Sequence, residues 1–175
     1  MPQIEMQHVT KYFTNEQRRF AAINDVSLSI ERGEFVFLIG SSGAGKTTLL
    51  RLLANQIVAD EGKIWLDDVE LTRMRGWRRP VYRRNIGQVW QDASLIRKKT
   101  VRQNLELVQR ALGVKSKVIP ENTRKALSIV GMRAMEDRYP FELSGGQVKM
   151  VELARAIICN PPILIVDEIT ANLDC

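Results

Sequence analysis

Three kinds of hydrophobic patterning follow one another along the chain. Over the first thirty residues the apolar positions fall in short, half-polar runs, Ile4 to Val9 and Phe20 to Ile30. Such runs predict antiparallel strands with one face in water. Glu31-Arg32-Gly33-Glu34 predicts a turn. The next run, Phe35-Val36-Phe37-Leu38-Ile39, has no polar interruption. A short, wholly apolar run ending in glycine predicts a strand covered on both faces, as in a parallel sheet. Gly40 to Gly45 predicts a loop, and Lys46 to Gln56 a helix that turns Leu49, Leu50, Leu52 and Leu53 inward. Gly62 to Leu66 with Val69 and Leu71 predicts an edge hairpin, and Ile86 to Trp90 another short strand.

From Val101 to Val130 the period lengthens to that of a helix. Val101, Leu105, Val108 and Leu112 share one face, and Ala126, Leu127 and Val130 another. Pro120-Glu121 marks a helix start. Ser144 to Ile158 predicts a third helix, stopped by Asn160-Pro161-Pro162. Ile163-Leu164-Ile165-Val166 predicts a second buried strand, running into Asp167-Glu168. The pattern is that of an α/β fold: a parallel core sheet, an N-terminal antiparallel β part and a small helical subdomain. Residues 1–91 and 143–175 form the core with its β part in this reading, and 92–142 the helical subdomain.

Composition agrees with a globular chain. Of 175 residues 45% are hydrophobic and 26% charged, which suits one domain with a substantial core. The longest apolar runs fall far below the roughly 20 residues needed to span a bilayer, and the start lacks the pattern of a signal peptide. Cys159 and Cys175 make no disulfide framework or metal-ligand spacing, which points to a reducing compartment. A net charge of +6 admits nucleic acid, acidic headgroups or phosphorylated ligands without choosing among them. Arg73, Arg75, Arg78, Arg79, Arg83 and Arg84 are read as a solvated basic face, with contact to a headgroup or acidic partner second. Trp65, Trp77 and Trp90 are read as packing residues, Cys159 as a buried small apolar group, and His8 as an ordinary surface or edge-strand residue.

Two motifs carry chemistry. Gly40-Ser41-Ser42-Gly43-Ala44-Gly45-Lys46-Thr47, followed by Thr48, satisfies G-x-x-x-x-G-K-[ST]. The glycines let backbone N–H groups wrap a phosphate chain, and the following helix adds its positive end. Lys46 supplies a compact charge for the β- and γ-phosphates, and the Thr47 hydroxyl can bind Mg²⁺. Asp167-Glu168 closes the second apolar strand, at the end where ligands sit in parallel sheets. Asp167 suits Mg²⁺ and Glu168 suits a base that activates water. A third segment, Leu143-Ser144-Gly145-Gly146-Gln147, puts a serine and two glycines at a helix start, a second anion nest.

Taken together the three segments resemble an ABC-type ATP-binding domain, a P-loop NTPase with a RecA-like core, and the resemblance covers essentially the whole chain. It implies ATP and Mg²⁺ as cofactors. Ser144, Gly145, Gly146 and Gln147 match the family's signature, which caps ATP bound to the other copy of a head-to-tail homodimer. Gln91 resembles the Q-loop glutamine that senses Mg²⁺ and γ-phosphate, so Thr47, Gln91 and Asp167 become the metal set. Glu168, Lys46 and Gln91 become the catalytic set. Phe13 resembles the aromatic that stacks on adenine, with Tyr12 its rival, and Asp174 falls in a D-loop-like segment, Ala171 to Asp174. The resemblance also implies an integral membrane partner, FtsX-like or a transporter permease, at the cytoplasmic face of the inner membrane. Nucleic acid is not an expected partner. Gly33 to Gly40, and Lys98 to Val101 with Asn104, are most similar to the FtsE cell-division branch, with lipoprotein-release and macrolide-export ATPases as neighbours.

Three departures accompany it. Ile169 stands where proline commonly follows the glutamate, and Met150 stands where a basic residue often follows the signature, with Lys149 beside it. The chain also stops at Cys175, before the two further strands and switch histidine of the family pattern, and His8 is too far upstream to serve as that histidine. A nucleotide-binding module with little or no turnover is therefore the alternative expectation.

Overall fold

The alternating runs at the N-terminus pair with each other. The structure is a computed structural model and describes residues 3–15, 18–92 and 94–167. In it β1 (Ile4–Thr14) lies antiparallel to β2 (Arg19–Ile30), with Ile4 opposite Ile30 and Met6 opposite Leu28. On its other side β1 pairs with β3 (Glu61–Leu66), which turns back into β4 (Val69–Glu70), giving the order β2-β1-β3-β4. Ile4, Met6, Ile64 and Leu66 are buried, as the alternation requires. Helix α1 (Lys46–Leu53) buries Leu49, Leu52 and Leu53, each worth roughly 1.5–3 kcal/mol. Leu50, expected inward with them, is half-buried. A 3₁₀ turn over Gly76–Arg78 leads into the short helix α2 (Arg79–Arg83).

The chain divides into two compact units, residues 1–83 and 84–175. The second unit opens with β5 (Ile86–Val89), which runs parallel to β6 (Ile163–Val166), Ile86 opposite Ile163 and Val89 opposite Val166. Three helices accompany this pair: α3 (Val101–Ala111), α4 (Ile119–Ile129) and α5 (Gly145–Ile157). Thr100 caps α3 through a reciprocal exchange with Gln103, and Pro120 sits in the first turn of α4 where its missing N–H costs nothing. Leu95, Val101, Leu105, Leu127, Val151 and Ala154 form the core of this unit. Helix α5 packs on β5, and Gly87 allows the approach: a Cβ there would stand 2.7 Å from the Ala156 carbonyl oxygen.

Four expectations are corrected. Phe35 to Ile39 is not a buried strand: it is irregular, and its five side chains are between 41 and 90% exposed. Apolar content alone does not make a strand; a ladder partner is required, and among the described residues this run pairs with no strand. The strand Ile163–Val166 is real but covered unevenly, since Ile163 and Ile165 are buried while Leu164 is exposed. Trp77 is not a packing residue but is 72% exposed. Cys159 is half-buried rather than buried.

Candidate functional site

The glycine-rich loop runs straight into α1. Gly43 and Gly45 both take positive φ, 78° and 87°, a region costly for residues with a side chain. Gly45 has no room for one either, because a Cβ would lie 2.3 Å from the Ala22 carbonyl oxygen. The Ala44 N–H closes a turn on the Ser41 carbonyl at 3.2 Å. Gly45 caps α1 without any side-chain bond, so the leading N–H groups at Lys46, Thr47 and Thr48 have no partner inside the helix. Lys46 folds back over the loop and donates from Nζ to the carbonyls of Gly40 (2.7 Å) and Ser41 (2.8 Å). The loop thus offers free N–H donors, a helix N-terminus and a cation held only by neutral carbonyls, which suits an anion with several oxygens. Ser41 and Ser42 stand exposed along it.

Asp167 follows β6 directly and its N–H donates to the Val89 carbonyl at 2.9 Å. The side chain is only 5% exposed, and its Oδ2 has no hydrogen-bond partner among the described residues. An ionised carboxylate oxygen left unpaired in a buried place is costly unless a cation or donor completes it. This orphaned oxygen fits the Mg²⁺ expected there. Glu168, Ala171 and Asp174 lie outside the described residues, as does the rest of the D-loop-like segment.

Gln91 lies just beyond β5, exposed, and its backbone is gripped by a residue that sequence reading noticed only as a neighbour of Met150. Lys149, in the first turns of α5, donates from Nζ to the carbonyls of Trp90 and Gln91 (2.6 Å) and to Glu152 Oε2 (3.1 Å). Glu152 Oε1 in turn accepts from the Ser94 N–H and hydroxyl. Arg155 closes the array by donating to the Ser94 carbonyl at 2.9 Å and to its hydroxyl. Burial pulls the Arg155 guanidinium below its ordinary value, against the opposing charge of Glu152. Lys149 and Glu152 are 4% and 0% exposed. The helix that begins at the serine-glycine segment therefore holds the Gln91 loop through an internal ion pair.

The start of that helix is capped as a helix N-terminus should be. Ser144 Oγ accepts from the Gln147 N–H at 3.3 Å while the Ser144 N–H donates to Gln147 Oε1 at 2.9 Å. Capping consumes the Gln147 N–H, which leaves those of Gly145 and Gly146 for an external anion. At the other end of the sequence Tyr12 and Phe13 are unlike. Arg19 lies over the Tyr12 ring, 3.8 Å from its centroid, whereas Phe13 is exposed, 6.3 Å from Phe20 and with Lys11 Nζ at 5.7 Å from its ring centroid. The Tyr12 N–H donates to Asp60 Oδ2 at 2.7 Å, which with Lys11 at 3.1 Å holds that carboxyl below the usual carboxylate range. His8 stands exposed on β1 with its Nδ1 2.8 Å from Asp25. These residues belong to two units, and each group is placed within its own.

Comparison with known proteins follows the same lines. The family described as ABC transporter matches residues 23–171. The methionine import ATP-binding protein MetN 4 of Oceanobacillus iheyensis is 39% identical over 98% of this chain and 50% of its own length. The cell division ATP-binding protein FtsE of Mycobacterium tuberculosis is 37% identical over 98% of this chain and 74% of its own. Among solved structures, a dimeric bacterial ABC transporter cassette matches with a TM-score of 0.91 at 30% identity, covering 98% of this chain and 76% of that one. An ATP-binding cassette solved as a dimer in a post-hydrolysis state with ADP and Pi matches with the same score at 29% identity and the same coverage. The chain thus spans half of the methionine-import relative and about three quarters of the cell-division one.

Proposed function

The chain belongs to the ABC transporter family of ATP-binding proteins, and on that premise we propose that it binds ATP with Mg²⁺ and hydrolyses it as a subunit of a membrane-bound machine. The observation that carries the reading is the loop before α1, with two glycines at positive φ, an uncapped helix start and a lysine bonded only to loop carbonyls. The N–H groups of the loop and of Thr47 and Thr48 receive the phosphate oxygens, and Lys46 transfers its bonds from Gly40 and Ser41 to the β- and γ-phosphates. By likeness to the family, Thr47, Gln91 and Asp167 would be the residues that hold the metal, with the orphaned Asp167 Oδ2 as the observation in support. Bound there, Mg²⁺ would supply positive charge against the negative charge developing on the transferred phosphoryl group. Glu168 takes a proton from the attacking water. Phe13, the ring without an arginine over it, stacks on adenine.

Two copies close head to tail in this reading, so that Ser144, Gly145, Gly146 and Gln147 of one copy meet ATP held by the other, and Asp174 is a further ATP-binding residue by the same likeness. Dimeric relatives support it. The FtsE-like role, driving an integral membrane partner at the cytoplasmic face of the inner membrane, rests on the cell-division relatives. Likeness to methionine-import proteins is as strong and makes a permease the other partner of the same class.

A melting experiment tests the first step. Mg²⁺-ATP at a hundred times its Kd raises stability by about 2.7 kcal/mol. No shift with Mg²⁺-ATP overturns the site. Glu168→Gln is expected to keep that shift and abolish phosphate release wherever the wild-type chain turns over, and undiminished release removes Glu168 as the base.

A further inference from the structure

The segment after β4 buries Leu71 at its start and turns its later apolar groups outward. The stretch Val69 to Arg83 holds five arginines against one acidic residue, Glu70. Leu71 and the half-buried Met74 face inward, and beside them so do polar groups: Arg79 donates to the Met74 carbonyl at 3.5 Å, Tyr82 donates to the Leu66 carbonyl at 3.2 Å, and Arg83 is half-buried with them. The outward side carries the later apolar groups. Trp77 is 72% and Val81 57% exposed, and four residues apart on a helical path they share a face. Arg78 stands on the same side, its guanidinium 5.8 Å from the Trp77 ring centroid. Arg73 and Arg75 extend the cationic rim, also exposed, with Glu70 the one acid near Arg73, at 3.4 Å.

A merely solvated basic face would expose its arginines, as Arg73, Arg75 and Arg78 are exposed here, and keep its tryptophan in the core, where Trp77 is not. An exposed tryptophan and valine among exposed arginines point to an occupant on the outside. The shape of the feature argues what that occupant is. One exposed turn covers far less than the roughly 800 Å² that each side of a stable protein interface buries. It exposes a single large ring, whereas single-stranded nucleic acid is bound on several stacking platforms. A short in-plane turn with tryptophan and valine outward and arginines around them fits a flat surface that is apolar below and anionic above.

We propose that Trp77, Val81 and the arginines Arg73, Arg75 and Arg78 form a contact with an anionic lipid bilayer, the rings and methyls entering the headgroup layer and the guanidinium groups pairing with lipid phosphates. The contact stands independently of the nucleotide site, and none of its residues belongs to that site.

Vesicle co-sedimentation tests it, using the whole 175-residue chain with phosphatidylcholine vesicles and with vesicles that also contain phosphatidylglycerol. Binding is expected only to the second kind, and to weaken steeply as salt shortens the screening length below 10 Å. The pair Arg75→Glu and Arg78→Glu is expected to lower vesicle affinity by at least about ten-fold. Both side chains are exposed, so the melting temperature and the Mg²⁺-ATP shift should not change. Brominated lipid is expected to quench tryptophan emission in the wild type and to lose that quenching in Trp77→Phe. Equal binding to neutral vesicles, an unchanged affinity in the arginine pair, unaltered quenching in Trp77→Phe, or stronger retention on duplex DNA than on vesicles at equal phosphate would each overturn the proposal. Failure of the ATP shift with intact vesicle binding would leave this contact standing and remove only the nucleotide reading.

Discussion

Two lysines do the same thing in two different environments. Lys46 opens a helix capped by Gly45, Lys149 sits in the second turn of a helix that begins with Gly145 and Gly146, and each donates to the carbonyls of a nearby loop. Lys46 holds Gly40 and Ser41, and Lys149 holds Trp90 and Gln91. Beyond that they part. Lys46 is half-buried, and no carboxylate among the described residues lies within ion-pair distance of it. Lys149 is sealed from water and paired with a fully buried Glu152. A cation held by neutral carbonyls in reach of solvent can exchange those bonds for phosphate oxygens. A cation locked to a buried carboxylate cannot, because separating the two leaves a bare charge in a low-dielectric place. The shared carbonyl grip organises a loop. The carboxylate is what makes one grip permanent and leaves the other free to open to a ligand.

The comparison breaks most directly at the buried pair. Lys149→Met strands the Glu152 carboxylate and is expected to cost about 3–5 kcal/mol, read as a lower urea midpoint. The double substitution Lys149→Met with Glu152→Met should recover most of that loss, since an apolar pair of similar volume is often neutral or better than a buried ion pair. If the double variant is as unstable as the single one, the hydrogen bonds to Trp90, Gln91 and Ser94 carry the energy and the charge pairing is incidental.

Sequence reading located one lysine and almost missed the other, and the reason is physical. Lys46 is visible because loop, glycines and threonine recur at fixed spacing around it. Lys149 and Glu152 are three residues apart on a helix, the spacing of countless solvated pairs. The available signal was weaker: Glu152 lies among Val148, Val151 and Ala154, positions that the helical period turns inward, so a charge there had to find a partner. The antiparallel strands, the three later helices and the capping at Ser144 follow from alternation, period and cap chemistry, which are local. Phe35 to Ile39 does not, because its expected burial depended on a neighbouring strand that local pattern cannot supply. Trp77 fails for the opposite reason. Tryptophan is usually packed, and only the three-dimensional placement of Arg79, Tyr82 and Arg83 shows that the inner side was already taken.

Smaller substitutions sharpen what makes each helix start fit for its task. Gly45→Ala puts a side chain at φ 87° and 2.3 Å from the Ala22 carbonyl oxygen, so the loop must shift. A loss of about 2–3 kcal/mol is expected, with the Mg²⁺-ATP shift gone as well. Ser144→Ala removes only a cap, since the Gln147 side chain still accepts from the residue-144 N–H, and is expected to cost about 1 kcal/mol. A cost near that of Gly45→Ala would mean that the serine does more at this helix start than cap it.

The smallest effect is the one that decides whether the first lysine is free. Lys46→Met deletes two bonds to loop carbonyls that are within reach of water, and no carboxylate among the described residues is left unpaired. In the absence of nucleotide the urea midpoint should therefore stay within about 0.5 kcal/mol of wild type, the range of a surface change. With Mg²⁺-ATP the difference should open, because the wild-type chain gains stability from the ligand and the variant does not. A nucleotide-free loss comparable to that of Lys149→Met would show that Lys46 is a fixed brace of its own loop, and the two lysines would then differ in burial alone and not in task.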